Sequence, residues 1–103
     1  MTLGEPALVS SRWPRLAAEL TIALRGAGED GLVSQVDSIR VVRECGCGDD
    51  FCQSFYTQPP PAGPYGPGHR CVALSPHRPW MLVLDVVDDL IMFVEVIDRP
   101  PLD

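Results

Sequence analysis

A chain of 103 residues with 46% apolar residues can bury one core without disulfides or metal, so general disorder is excluded. A formal charge of -6, no lysine and only scattered arginines argue against nucleic-acid binding, which needs a basic surface to displace phosphate counterions. Glu5, Arg12, Arg15 and Glu19 break up the first apolar residues, and the later apolar runs are too short to span a bilayer, so neither a signal peptide nor a membrane segment is expected.

Residues 1 to 12 show no period. Ser10 or Ser11 before Trp13-Pro14 predicts a helix start, because proline is tolerated in a first turn where its missing N–H is not needed. Leu16, Leu20, Ala23 and Leu24 then form one apolar stripe, with Arg15, Glu19 and Arg25 toward solvent. Gly26, Gly28 and Gly31 stop the helix, and Leu32 to Val36 has the makings of one further turn.

From Ser38 the pattern becomes β. Ile39, Val41 and Val42 interleave with Arg40 and Arg43 in a strand that ends at Cys45. Gly46 and Gly48 permit a sharp reversal, after which Phe51 to Thr57 returns as a second strand. Phe51, Gln53, Phe55 and Thr57 should share one of its faces, and Cys52, Ser54 and Tyr56 the other.

Residues 58–69 hold five prolines and three glycines, which excludes a regular helix or central strand and predicts a long surface loop. Cys71 to Ser75 reads as a third strand, followed by a turn at Pro76 to Pro79. Trp80 to Val87 and Leu90 to Ile97 are β-rich runs separated by Asp88-Asp89, a hairpin signal although the favoured glycine is missing. An unbroken register sets Val87 against Leu90, Asp85 against Met92 and Val83 against Val94, with Leu84, Val86, Ile91 and Phe93 on the other side and Glu95 opposite Leu82. Both faces are then mostly apolar. One helix covers one of them, which leaves the second to the proline-rich loop or to a second subunit, and a homodimer is expected.

The chain concentrates its versatile chemistry in Cys45, Cys47 and Cys52, with Cys71 just after His69. In a bacterial cytoplasm, the expected location, these are reduced thiols or metal ligands rather than a disulfide framework. Zinc takes four tetrahedral ligands from Cys and His, so Cys45, Cys47, Cys52 and Cys71, with His69 as the alternative fourth, form a candidate structural site. The spacing C-x-C-x4-C is not the usual paired C-x2-C, and Cys45 and Cys47 converge only if Gly46 kinks the chain. A second reading makes the cysteines small hydrophobes of the core. A third gives them thiol chemistry, either a Cys45–Cys47 dithiol or a Cys52 nucleophile with His69 or His77 as base. Against it, Asp49 and Asp50 would raise a nearby thiol's pKa, and no lysine lowers it. Asp49, Asp50, Asp88 and Asp89 sit in turns, where Asp bonds its own backbone. Asp85 and Glu95 interrupt apolar faces and belong at a sheet margin or beside an arginine such as Arg40 or Arg43. No catalytic constellation is legible.

The order of features resembles a group of small bacterial, mostly actinobacterial, proteins: a helix, a strand running into a C-x-C-G turn, and a terminal strand of the LEV-x-D type. Cys45-Gly-Cys47-Gly48 and Val94-Glu95-Val96-Ile97-Asp98 carry the resemblance, which covers roughly residues 36 to 102. The long proline-rich loop and the Asp88-Asp89 turn depart from that pattern. The group has no established activity, so the resemblance implies a fold and no chemistry. The expectation is a single α+β domain over residues 1–103: one principal helix on an antiparallel meander of about five strands. Its expected role is non-enzymatic interaction, with zinc binding as the alternative and a thiol-dependent enzyme third.

Overall fold

The principal helix starts where Pro14 allows it to, and the short turn before it is the part the sequence did not announce. A computed structural model describes residues 5–49, 52–74 and 81–102. Helix α1 (Val9–Arg12) buries Val9, and α2 (Pro14–Gly26) follows after Trp13. The buried face of α2 is Leu16, Ala17, Leu20 and Leu24, with Ala23 packed against the core edge. Its end is a Schellman closure. Gly28 takes a φ of 75°, its N–H donates to the Arg25 carbonyl, and the Glu29 N–H donates to the Leu24 carbonyl. Helix α3 (Asp30–Val33) begins two residues before the expected turn and buries Leu32.

Among the described residues five strands make one antiparallel sheet: β1 (Arg43–Glu44), β2 (Phe55–Tyr56), β3 (His69–Ala73), β4 (Met81–Val87) and β5 (Leu90–Ile97), in the order β1-β2-β5-β4-β3. The α+β class is as expected. The order leaves a simple meander at one point, because β2 pairs with β5 and the proline-rich segment carries the chain to the far edge. Phe51, Ser75, the Pro76–Pro79 turn and Trp80, which enter the sequence expectation, lie outside the described residues.

The expected strand over 39–45 is cut to two residues. Ile39 and Val41 are buried, but their backbone partners come from the N-terminal segment: Val9 N–H donates to the Ile39 carbonyl and Val41 N–H to the Ala7 carbonyl. Arg40 extends this seam by donating to the Pro6 carbonyl at 2.7 Å. The second strand is likewise short, and Gln53 and Thr57 continue the attachment to β5 by donating to the carbonyls of Val96 and Met92.

The β4–β5 hairpin turns through Asp88 and Asp89, both left-handed, with φ of 49° and 65°. Val87 faces Leu90 as expected, and Val86 faces Ile91. A β-bulge then intervenes, so that Asp85 faces Phe93 and Val83 faces Glu95 in place of Met92 and Val94. The physical reason lies in what an unbroken ladder would bury. It would turn Glu95 inward and Val94 and Val96 outward, stranding a charge in the core. With the bulge, Leu82, Leu84, Val86, Ile91, Val94 and Val96 all face the helices. Trp13 packs on Phe55 with ring centroids 5.1 Å apart, joining the two layers.

The opposite face therefore carries Val83, Asp85, Val87, Phe93 and Glu95, all half-buried, and Tyr56 lies on Phe93 at 4.5 Å. The proline-rich loop reaches this face through Tyr65, whose ring rests on His69 at 4.8 Å. Among the described residues no helix is long and apolar enough to cross a membrane.

Candidate metal centre

Cys45 leaves β1 with its N–H donating to the Ser54 carbonyl, and Cys52 enters the return segment bridged to Ile97 of β5. Between them Gly46 and Gly48 take φ of 76° and 82°, a left-handed conformation that costs a side-chain-bearing residue strain. The chain doubles back and brings the sulfurs of Cys45, Cys47 and Cys52 within 4.8 Å of one another. Gly46 thus supplies the kink without which residues one apart on a strand point to opposite faces.

Two of these thiols are pulled apart electrostatically. The Ser54 hydroxyl, 3.4 Å from Cys52 Sγ, holds the Cys52 thiol below its ordinary value and outweighs the effect of burial. A hydrogen bond from the Asp49 backbone acts to lower Cys47. The neighbouring Cys52 and Cys45 and some burial act the other way, and the net shift is upward. Of these two thiols, the surroundings thus favour the thiolate at Cys52 over that at Cys47.

Cys71 is elsewhere. Cys52 adjoins β5 through Ile97, whereas Cys71 lies on β3 at the far edge of the sheet. Three strand spacings of about 4.8 Å, roughly 14 Å, separate them before any offset along the strands is counted. The four-cysteine site of the sequence reading is therefore corrected to three cysteines, and His69, its alternative fourth ligand, lies on the same distant strand. Among the described residues no further Cys or His joins the trio.

None of the four cysteines is a buried core residue. Cys45 and Cys52 are half-exposed, and Cys47 and Cys71 are exposed. Packing as small hydrophobes thus fails to account for them. Cys71 instead meets His69 and Asp85: His69 Nε2 lies 2.8 Å from Asp85 Oδ1, and the Cys71 thiol donates to the same oxygen at 3.3 Å. Hydrogen bonding to Asp85, then burial, then the charges of Asp85 and Glu95 push the Cys71 thiol up. Asp85 is thus engaged by a histidine and a thiol rather than by Arg40, which binds the Pro6 carbonyl and Glu5. His77, the other base considered for Cys52, lies outside the described residues.

Sequence reasoning missed Asp85 as a partner of Cys71. The signal existed in the alternation of both strands, but the β3–β4 register was needed to use it. Comparison with family models, with curated proteins and with solved structures returned no match, so the site stands on its own geometry.

Proposed function

We propose that the protein is a non-enzymatic, metal-binding accessory protein of the bacterial cytoplasm, in which Cys45, Cys47 and Cys52 hold zinc. The observation that carries this reading is the convergence of three sulfurs within 4.8 Å on a turn built around two left-handed glycines. A tetrahedral zinc about 2.3 Å from each sulfur needs the sulfurs about 3.8 Å apart, so closure asks for movements of about 1 Å or less. Thiolates are soft donors that suit zinc and cuprous copper and not calcium or magnesium.

With three protein ligands the site differs from a closed structural centre, which fills all four positions. The fourth is available to water or to a donor from a partner, and this unites the metal role with the interaction role. A partner, or a second copy in a homodimer, would add the last ligand. Cobalt titration of a Cys71→Ser variant tests the reading. One equivalent of Co²⁺ with intense thiolate charge-transfer absorption, abolished when Cys45 is also changed to serine, is the expected result. No such absorption in the Cys71→Ser protein would refute it.

A further inference from the structure

We infer that His69, Cys71 and Asp85 form a second and separate metal site, on the sheet face away from the helices, that takes a borderline divalent cation such as zinc. The inference stands independently of the three-cysteine cluster, which is at the other side of the sheet.

Strand geometry assembles the three donors. His69 and Cys71 are two apart on β3 and so share one face, and Asp85 is the β4 residue directly opposite Cys71. Arg70, between them, points the other way and is held there by a two-pronged pair with Glu29, at 2.8 and 2.9 Å. That anchor fixes which face of β3 carries the donors. Tyr65 lies on the imidazole of His69 and restrains its rotation. The β4–β5 bulge leaves Asp85 on this face beside Phe93.

The donor atoms converge in a way that suits chelation and defeats a nucleophile relay. In a Cys–His–Asp relay, one imidazole nitrogen faces the thiol and the other the carboxylate. Here His69 Nε2 faces both, 2.8 Å from Asp85 Oδ1 and 4.0 Å from Cys71 Sγ, while Sγ lies 3.3 Å from the same Oδ1. Nitrogen, sulfur and oxygen thus lie within 4.0 Å of one another, close enough to share one ion. A tetrahedral zinc, about 2.0–2.1 Å from N and O and about 2.3 Å from S, requires N–O near 3.3 Å and the two sulfur separations near 3.5 Å. Each observed separation is within about half an ångström of its requirement. Binding would replace the thiol proton of Cys71, released to solvent, and would use neutral His69 with its proton on Nδ1. Side-chain exposures of 32% for His69 and 24% for Asp85 leave an approach for the ion and a fourth position facing solvent.

Cobalt titration of a full-length variant with Cys45, Cys47 and Cys52 all changed to serine isolates this site. The expected result is one equivalent of Co²⁺ with the charge-transfer absorption of a single thiolate, lost on adding Cys71→Ser and lost or weakened at least tenfold on adding Asp85→Asn. Absence of binding in the folded triple variant, or binding indifferent to Cys71 and Asp85, would overturn the inference and leave the three-cysteine reading untouched. Should the triple variant fail to fold, alkylation of the wild-type chain decides. Zinc is expected to slow modification of Cys71 at least tenfold, with the protection absent in Asp85→Asn, and modification of Cys71 at the same rate with and without zinc would overturn it.

Discussion

The hydroxyl of Ser54 accepts the Val96 N–H at 2.9 Å and at the same time lies 3.4 Å from Cys52 Sγ. One buried side chain thereby joins the central strand β5 to the three-cysteine cluster. Changing Ser54 to alanine leaves the Val96 N–H without that acceptor inside the core, at a cost of about 1–3 kcal/mol. It also removes the partner that holds the Cys52 thiol low. Denaturant unfolding should show the loss of stability, and zinc competition should show affinity reduced by roughly 10–100-fold, the usual scale for an outer-shell partner. Unchanged affinity in a folded Ser54→Ala protein would detach this hydroxyl from the metal site.

Gly46 is the second lever on the cluster. A methyl group there meets open space, its nearest neighbour being the Glu44 carbonyl oxygen at 4.0 Å, so the obstacle is the φ of 76° alone. Gly46→Ala should cost about 1–2 kcal/mol if the turn is kept. If the turn relaxes instead, Cys45 and Cys47 diverge and zinc affinity falls. A substitution silent in both stability and zinc binding would contradict the role given to the kink.

Asp88 and Asp89 occupy left-handed positions that a glycine fills at lower cost. Asp89→Gly keeps the backbone carbonyl that accepts from Gln35 and, among the described residues, gives up an exposed, 3.4 Å contact with Arg70. The variant should be more stable by about 1 kcal/mol, equivalent to roughly 4–8 °C in Tm for a chain of this size. Thermal unfolding followed by circular dichroism measures it, and a lowered Tm would show that the side chain matters more than the backbone strain.

Glu29 links α3 to β3 through Arg70, whose guanidinium holds its carboxyl below the usual carboxylate range. A carboxyl depressed in the folded state stabilises fully above the unfolded value and loses that contribution as pH falls through the folded one. The Tm gap between wild type and Glu29→Gln should therefore be present at pH 7 and shrink in acid below the ordinary carboxylate range. Arg70 is exposed and Glu29 only half-buried, so added salt should narrow it too. A gap independent of pH would assign the effect to packing.

What was legible in the sequence follows from which features are local. The α2 stripe, its glycine stop and the Asp88-Asp89 hairpin each depend on residues a turn or two apart, and all three stand in the structure. The condition for bringing Cys45 and Cys47 together, a kink at Gly46, was local as well. The bulge that exchanges Met92 for Phe93 opposite Asp85 was not, because only the helices beyond the sheet decide that Val94 and Val96 belong inside. The same limit hid the shortened 39–45 strand, whose partners lie some thirty residues earlier in the chain. Placing Cys71 with Cys52 was the natural inference from a cluster of like residues. The strand order undoes it by sending the chain across the sheet between them.

The central claim is that Cys45, Cys47 and Cys52 hold a metal ion, and native mass spectrometry tests it most directly. The protein should be purified without chelator or affinity metal, alongside Cys47→Ser. The account predicts that the variant carries one zinc fewer per chain than the wild type, whatever the His69–Cys71–Asp85 group contributes to both. Equal metal content in the two proteins would contradict it.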